Sequence, residues 1–251
     1  MNSRLQHESD IIEFSTLQSR CVYLPNKLMK MRYKYIKECP ESLNAALVKR
    51  GWRRFGHYFS RPGCDGCTSC QSLRVDVRNF TPSRSQKRVW KQKGIRIFVR
   101  KPTVSYEHLK LYEKYHRYMQ KKRNWDYFAV DAESYYDLYV KGYGTYGNEV
   151  QYYYEGNLVG IDLIDYLDDG ISSNYFYYDP DYRHLSLGTY SLLKQIDFAR
   201  KRELSWIYLG YYIDECQSLR YKHHFKPYQI LENLPSEEDE PLWNYTRQII
   251  K

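Results

Sequence analysis

Between Glu149 and Leu231 the order of apolar runs and chain breakers leaves few ways to fold. Glu149–Tyr154 and Leu158–Tyr166 read as strands, and Gly156-Asn157 between them reads as a hairpin turn. Asp168-Asp169-Gly170 leads into a third strand, Ile171–Tyr178, which Asp179-Pro180 ends. A helix is expected from about Ser186 to Arg202, then a fourth strand at Trp206–Leu209 and a polar turn from Gly210 to Glu215. A short helical piece around Ser218–Lys222 and a last strand at Phe225–Leu231 follow. Three antiparallel strands, a helix, and a strand returning beside the third predict an α/β sandwich.

The first half is built around thiols and cations. Arg53-Arg54-Phe55-Gly56 precedes Cys64-Asp65-Gly66-Cys67-Thr68-Ser69-Cys70, and Ser83-Arg84-Ser85-Gln86-Lys87-Arg88 follows. Three cysteines at two-residue spacing can aim their thiolates at one point, as zinc or an iron–sulfur cluster requires. Gly63 and Gly66 suit the turns of such a knuckle. A tetrahedral site needs a fourth ligand, and Cys21 is the candidate, with Cys39 and Cys216 outside the cluster. A strand at Trp52–Ser60 and another carrying Leu73, Val75 and Val77 flank the knuckle, which would make it a hairpin loop. Thr81 and Pro82 are expected to open a helix whose Arg84, Lys87, Arg88, Lys91 and Lys93 have no acidic partners at helical spacing. Further on, a helix from about Ser105 to Lys122 places His116 on an apolar face, where it reads as a hydrogen-bonded core residue rather than a ligand. An aromatic helix is expected at Ala132–Val140.

Composition narrows the partners. The chain carries 39 Lys and Arg against 30 Asp and Glu, a net charge of +9, which favours a polyanion such as nucleic acid. No run of about 18 apolar residues is present, and the polar start lacks a signal peptide's apolar core, so no membrane partner and a cytoplasmic location are expected. In that compartment, closely spaced cysteines favour metal or redox roles over disulfides. The 29 tyrosines could stack bases, although alternating tyrosines in strands serve more often as core and cover.

Arg183-His184-Leu185-Ser186-Leu187-Gly188-Thr189 sits between strand and helix, where free N–H groups and the helix dipole attract an anion or an oxyanion. It resembles the pyrophosphate loop of acyl-CoA N-acyltransferases, with Ser186 where the first glycine is usual. Taken with Cys21-x-Tyr23-Leu24-Pro25, Arg53-Arg54-x-Gly56, the cysteine knuckle, Arg74 and Ser83–Arg88, these segments resemble the aminoacyl-tRNA–protein transferases of the N-degron pathway. Tyr208-Leu209-Gly210-Tyr211-x-Ile213-Asp214-Glu215-Cys216 and Tyr221-Lys222 before Phe225 continue the likeness. It is strongest to the bacterial branch, the aspartate/glutamate leucyltransferases, and spans about Cys21 to Leu231. Ser60-Arg61-Pro62 departs from the Tyr-(Lys/Arg)-Pro usual before the first knuckle cysteine, so no role is carried over for that tyrosine.

The resemblance implies an α+β fold: an acyl-CoA N-acyltransferase-like catalytic domain at 101–251, behind a smaller N-terminal cysteine-containing domain at 1–100. It implies transfer of an amino acid, leucine in the bacterial branch, from aminoacyl-tRNA to the α-amine of proteins that begin with Asp or Glu. On this reading Arg84, Gln86, Lys87, Arg88, Ser186, Leu187, Gly188 and Thr189 hold the donor tRNA. Arg53, Arg54, Arg74 or Lys222 pairs the acceptor's carboxylate, with Arg74 the first choice, facing the Ser186-Leu187-Gly188 loop. Tyr211 and Asp214 are the candidates for proton transfer, and Cys21, Cys64, Cys67 and Cys70 for zinc or an iron–sulfur cluster; no CoA is needed. The alternatives are an arginyl transferase, a non-catalytic RNA-binding protein with a metal knuckle, and a CoA-dependent acetyltransferase. The RNA-binding reading leaves the second half unexplained. The acetyltransferase reading leaves the basic first half without a task.

Overall fold

A computed structural model describes residues 11–246. Its strands are β1 (Ile11–Ser15), β2 (Ser19–Arg20), β3 (Leu28–Met29), β4 (Met31–Ile36), β5 (Arg53–Phe55), β6 (Tyr58–Pro62) and β7 (Gln71–Asp76). They continue with β8 (Ile95–Arg100), β9 (Gly147–Tyr154), β10 (Asn157–Tyr166), β11 (Gly170–Tyr178), β12 (Trp206–Tyr212), β13 (Tyr228–Leu231) and β14 (Trp243–Tyr245). The α-helices are α1 (Glu41–Lys49), α2 (Arg84–Trp90), α3 (Tyr106–Arg123), α4 (Ala132–Tyr135), α5 (Leu187–Lys201) and α6 (Gln217–Arg220). No helix among the described residues is long and apolar enough to cross a membrane.

The predicted meander is present. β9, β10 and β11 pair antiparallel in sequence, and β12 pairs with β11 in parallel. A parallel neighbour needs a crossover, and α5 provides it. These strands belong to an eight-stranded sheet ordered β14-β13-β7-β12-β11-β10-β9-β8. Helix α5 covers one face, where Leu187, Leu193 and Ile196 meet Leu73, Val75, Ile171 and Ile207. Helix α3 covers the other, where Leu111, Tyr112 and Tyr115 meet Ile161, Leu163 and Tyr177. His116 lies here as expected of a core residue: Nδ1 bonds to the Tyr112 carbonyl at 2.7 Å and Nε2 to the Tyr175 hydroxyl at 2.6 Å.

A second sheet, β1-β4-β6-β5, is antiparallel throughout. Ile36 and Phe59 bury one of its faces against Leu47 of α1 and Trp52. The opposite side of α1, through Ala45 and Val48, reaches Leu167 and Tyr208 of the larger sheet, so this helix fastens the two sheets together.

Three local expectations are corrected. The run Trp52–Ser60 is not one strand: Gly56, at φ +57°, turns it back as the β5–β6 hairpin. A Cβ at Gly56 would stand 2.1 Å from the Asp137 carbonyl oxygen, so a side chain cannot fit there. The cysteine stretch is therefore not a hairpin loop. It carries the chain from β6 in one sheet to β7 in the other, where β7 lies between β12 and β13. Helix α2 is capped by Ser83 rather than Thr81: Ser83 Oγ accepts from the Gln86 N–H, and Gln86 Oε1 accepts from the Ser83 N–H at 2.8 Å. The larger sheet draws strands from both sides of residue 100, because β7 and β8 come from the first hundred residues.

Candidate active site at a split between two strands

β11 and β12 pair only from Gly170–Ser172 to Trp206–Tyr208, yet β11 runs on to Tyr178 and β12 to Tyr212. Beyond the pairing they part. Each strand carries a bulge at that level, Asn174 being the extra residue on β11 and Leu209 on β12. Bulges bend strands and leave backbone groups without a ladder partner, and here the freed carbonyls meet cations. Arg53, reaching over from β5, donates through Nη2 to the Ser173 carbonyl and to the Asn174 carbonyl at 3.0 Å. Lys222 Nζ donates to the Leu209 carbonyl at 2.8 Å and to the Tyr211 carbonyl. Gly210, at φ +67°, makes the fit possible: a Cβ there would stand 2.4 Å from the Arg53 guanidinium carbon.

Neither cation has a carboxylate partner among the described residues. Burial lowers the Arg53 pKa, and burial together with the Arg53 charge holds Lys222 well below the usual lysine range. Buried Arg53 Nη1 has no hydrogen-bond partner. An unpaired cation with a free donor in a dry site is an unmet demand for an anion.

The other two predicted acceptor cations are committed elsewhere. Arg54 grips Asp165 through Nε at 2.8 Å and Nη2 at 2.6 Å, and its Nη1 donates to the Gly56 and Gly142 carbonyls at 3.1 Å each. Arg74 donates to Gln229 Oε1 and the Tyr208 hydroxyl, with its guanidinium 3.8 Å from the Trp206 ring centre and 4.6 Å from that of Trp243. Leu73 and Val75 point into the α5 side of the sheet, so alternation turns Arg74 to the opposite face, away from Ser186–Gly188.

The two residues expected to move protons are differently placed as well. Tyr211 is buried; its hydroxyl donates to the Ser60 carbonyl at 2.9 Å, and burial raises its pKa far above that of a free tyrosine. It acts as a strut between the sheets. Asp214 is exposed and accepts from the Tyr212 hydroxyl at 2.7 Å.

Asp162 was missed. It lies on β10, fully buried, with Oδ2 accepting from Ser191 Oγ at 2.9 Å and Gln195 Nε2 at 2.7 Å, while Oδ1 has no partner. Gln195 Nε2 also reaches Ser173 Oγ at 3.0 Å, which ties the carboxyl to the residue whose carbonyl holds Arg53. The available signal was an acid in the middle of the apolar run Leu158–Ile164.

Burial raises the Asp162 pKa from 3.8 to about 7 against the two hydrogen bonds that lower it. An unfolded aspartate ionises near 3.9, so between about pH 4 and 7 the native state keeps a proton that the unfolded chain has released. Stability must fall as pH rises through that window. Asp162→Asn removes the liability. Its stability relative to wild type should climb from pH 5 to pH 8, reaching on the order of 2–4 kcal/mol. Urea unfolding at the two pH values measures it, and a pH-independent difference would overturn the assignment.

On the α5 side, Ser186 adopts the left-handed conformation (φ 50°, ψ 43°) and the helix starts at Leu187 without a side-chain cap. Leu187 is buried, Gly188 and Thr189 are half-buried, and Ser186 is exposed. A Cβ at Gly188 would meet only Phe176, at 3.8 Å, so the first turn is open to a ligand. Arg84, Lys87 and Arg88 of α2 are exposed and make no ion pair among the described residues. Gln86 is not available with them: it is buried, closes the α2 cap, and donates to the His224 carbonyl at 3.2 Å.

The thiols gather in one region. Burial pushes Cys70 up to about 12, with further contributions from Cys21, Cys64, Cys67 and, least of all, Cys216. The individual sulfurs are nonetheless engaged apart. Cys64 bonds to the Lys30 backbone, Cys67 to Ser69 Oγ at 3.6 Å, and Cys216 to Ser218 Oγ at 3.1 Å. Among the described residues no three His, Cys, Asp or Glu side chains are set to hold a metal ion. Tyr23 is pushed up to about 12 chiefly by burial, with smaller effects from Cys70 and Arg53.

Comparison with known proteins gives a consistent picture. A family model for the N terminus of arginine-tRNA-protein transferase matches residues 19–88, and one for its C terminus matches residues 107–232. An aspartate/glutamate leucyltransferase of Campylobacter jejuni is 48% identical over 234 residues, covering 92% of this chain and 98% of that protein. One from Helicobacter hepaticus is 40% identical, covering 93% and 97%. One from Marinobacter nauticus is 32% identical, covering 88% and 93%.

Proposed function

The chain belongs to the arginine-tRNA-protein transferase family, and from that premise we infer that it moves leucine from its tRNA to the α-amine of proteins that begin with Asp or Glu. Its standing as an aminoacyltransferase follows from the family. The leucine donor and the acidic acceptor are our reading, and the relatives' shared name supports both.

The observation that carries the acceptor half is Arg53, a half-buried cation at the split between β11 and β12 whose buried Nη1 has no hydrogen-bond partner and which has no acidic partner among the described residues. An acceptor beginning with Asp or Glu brings the missing carboxylate, and a charge-assisted pair in a dry site is strong. The α-amine, three bonds from the carboxyl carbon in Asp and four in Glu, is then held beside the split. With a pKa of about 7.7–8.0, a useful fraction is neutral at pH 7. The amine attacks the ester carbonyl, the C–N bond forms, and the C–O bond to the ribose breaks. The proton lost by the amine leaves with the ribose hydroxyl. An ester is already activated, so placing the two reactants together can supply most of the acceleration. The open first turn of α5 directs N–H groups toward developing negative charge or donor phosphate.

The test is transfer from leucyl- and arginyl-tRNA to peptides that differ only in a first Asp, Glu, Asn or Ala. Transfer of leucine to the Asp and Glu peptides alone is the expected result; transfer of arginine, or indifference to the first residue, would refute it. The donor half has its own check. Replacing Arg84, Lys87 and Arg88 together by Ala should flatten the slope of log K against log salt by about 2–3, since each phosphate contact contributes roughly 0.7–0.9. An unchanged slope would remove α2 from the tRNA interface.

A further inference from the structure

The β1-β4-β6-β5 sheet has a second face that α1 does not cover. Residues across a ladder share a face, and the registers set Phe14 beside Tyr33, Ile12 beside Tyr35, Tyr35 beside Tyr58, Tyr58 beside Phe55, and Ser60 beside Arg53. Phe55 is covered by Tyr139 and Tyr175. Three of the others are open to solvent, Ile12 at 58% exposed, Phe14 at 45% and Tyr58 at 40%, while Tyr33, Tyr35 and Ser60 are half-buried. The rings form a row, Phe14 stacked on Tyr33 with centroids 5.2 Å apart, Tyr58 5.2 Å from Tyr35, and His57 5.6 Å from Tyr35.

Two further features bear on what covers it. This face carries no carboxylate on any of its strands; Glu13 points to the other side, toward Lys34. Lys141 and its partner Asp137, outside these strands, act on His57 in opposite directions, and Lys141 reaches Tyr35 as well. The row also leads into the active site. It ends at Arg53, and Ser60 beside Arg53 accepts the Tyr211 hydroxyl. With strands about 4.8 Å apart, it spans roughly 14 Å from β1 to β5.

We propose that this aromatic face is the bed on which the unpaired 3′ end of the donor tRNA stacks as it delivers its aminoacyl ester to the split beside Arg53. The proposal rests on the reading of the donor as an aminoacyl-tRNA. A single-stranded end presents flat bases with phosphates between them, and an acid-free row of exposed rings suits both. Each base stacked on a ring is stabilised enough to be measured one side chain at a time. A polypeptide would gain instead from adding a strand at the β1 edge, which uses backbone groups rather than ring faces.

The experiment compares two RNA hairpins with the same stem, one ending in a single-stranded 3′ tail and one blunt, against Phe14→Ala, Tyr58→Ala and Tyr58→Phe. Both rings are exposed, so the fold should survive, and thermal melting checks it. The expected result is a Kd for the tailed hairpin about five-fold or more higher in each Ala variant. The blunt hairpin, the salt slope and the acceptor-peptide KM should stay as in wild type, and Tyr58→Phe should match wild type throughout. Equal losses for tailed and blunt RNA would overturn the proposal. A raised peptide KM with unchanged RNA affinity would give the face to the acceptor chain, and a changed sedimentation mass alone would give it to a second copy. Failure of the transferase reading shows separately, as absent transfer by the wild type.

Discussion

Arg53→Ala should lose the ability to distinguish Asp from Asn at the acceptor's first position. In wild type, Arg53 Nη1 is a buried donor without a partner, and Nη2 is fixed on β11 carbonyls that do not pair with β12. Removing the guanidinium strands the incoming carboxylate in a partly dry site, at a cost on the order of 2–5 kcal/mol. That corresponds to a fall in kcat/KM for an Asp peptide of roughly 30- to 4000-fold. tRNA affinity should barely change. Arg53→Lys should recover only part of the loss, because an ammonium cannot serve the Ser173 and Asn174 carbonyls and a ligand with one planar fork. Removing Arg53 also deprives two carbonyls of a donor, so stability will fall. The Asp-to-Asn ratio is therefore the decisive measurement, since it compares two substrates on the same folded enzyme. A ratio unchanged in Arg53→Ala would shift the role to Lys222. Arg74→Ala should leave the ratio intact and lower the melting temperature instead, because Arg74 fills the space between Trp206 and Trp243.

Asp165→Ala should cost about 3–5 kcal/mol of stability, the usual consequence of breaking a buried pair and leaving one charge behind. Asp165 is fully buried on β10, and it takes both ends of the Arg54 fork as well as a weak contact from Asn44 Nδ2 at 3.4 Å. Arg54 comes from β5 and Asn44 from α1, so this carboxylate is where the smaller sheet and its helix are bonded to the larger sheet. Urea unfolding measures the loss as a shift in midpoint at constant slope. A loss under about 1 kcal/mol would mean that water reaches Arg54 in place of Asp165. The double variant Arg54→Met with Asp165→Leu should recover much of the stability, because it leaves no unpaired charge.

Local chemistry made the meander and α5 legible, since apolar alternation and the turns at Gly156 and Gly170 act within a few residues. The β5–β6 hairpin and the destination of β7 were not legible. Which strand receives Leu73, Val75 and Val77 is decided by residues 206–231, and nothing near the cysteines encodes that choice. Two signals were present and read wrongly. Ser83 and Gln86 have the spacing of a capping box, but Pro82 drew the helix start two residues early. The apolar side chains of β7 already fixed the direction of Arg74, because Leu73 and Val75 facing a core send the residue between them to the other side. Arg53 could be named in the sequence only as one of four cations. What separates it from Arg54 is a change of face at adjacent positions of one short strand, which sends one guanidinium to Asp165 and the other to bare carbonyls.

The position of β7 between β12 and β13 has a consequence for synthesis on the ribosome. Its two neighbours are encoded near the far end of the chain. At about 5–20 residues per second, on the order of ten seconds separate the emergence of Leu73 and Val75 from that of Ile207 and Leu209. Throughout that interval β7 has two unpaired edges and an uncovered apolar side, the kind of surface that invites pairing with another nascent chain. Expression trials in which translation is slowed after residue 178 should change the soluble fraction more than trials in which it is slowed before residue 71.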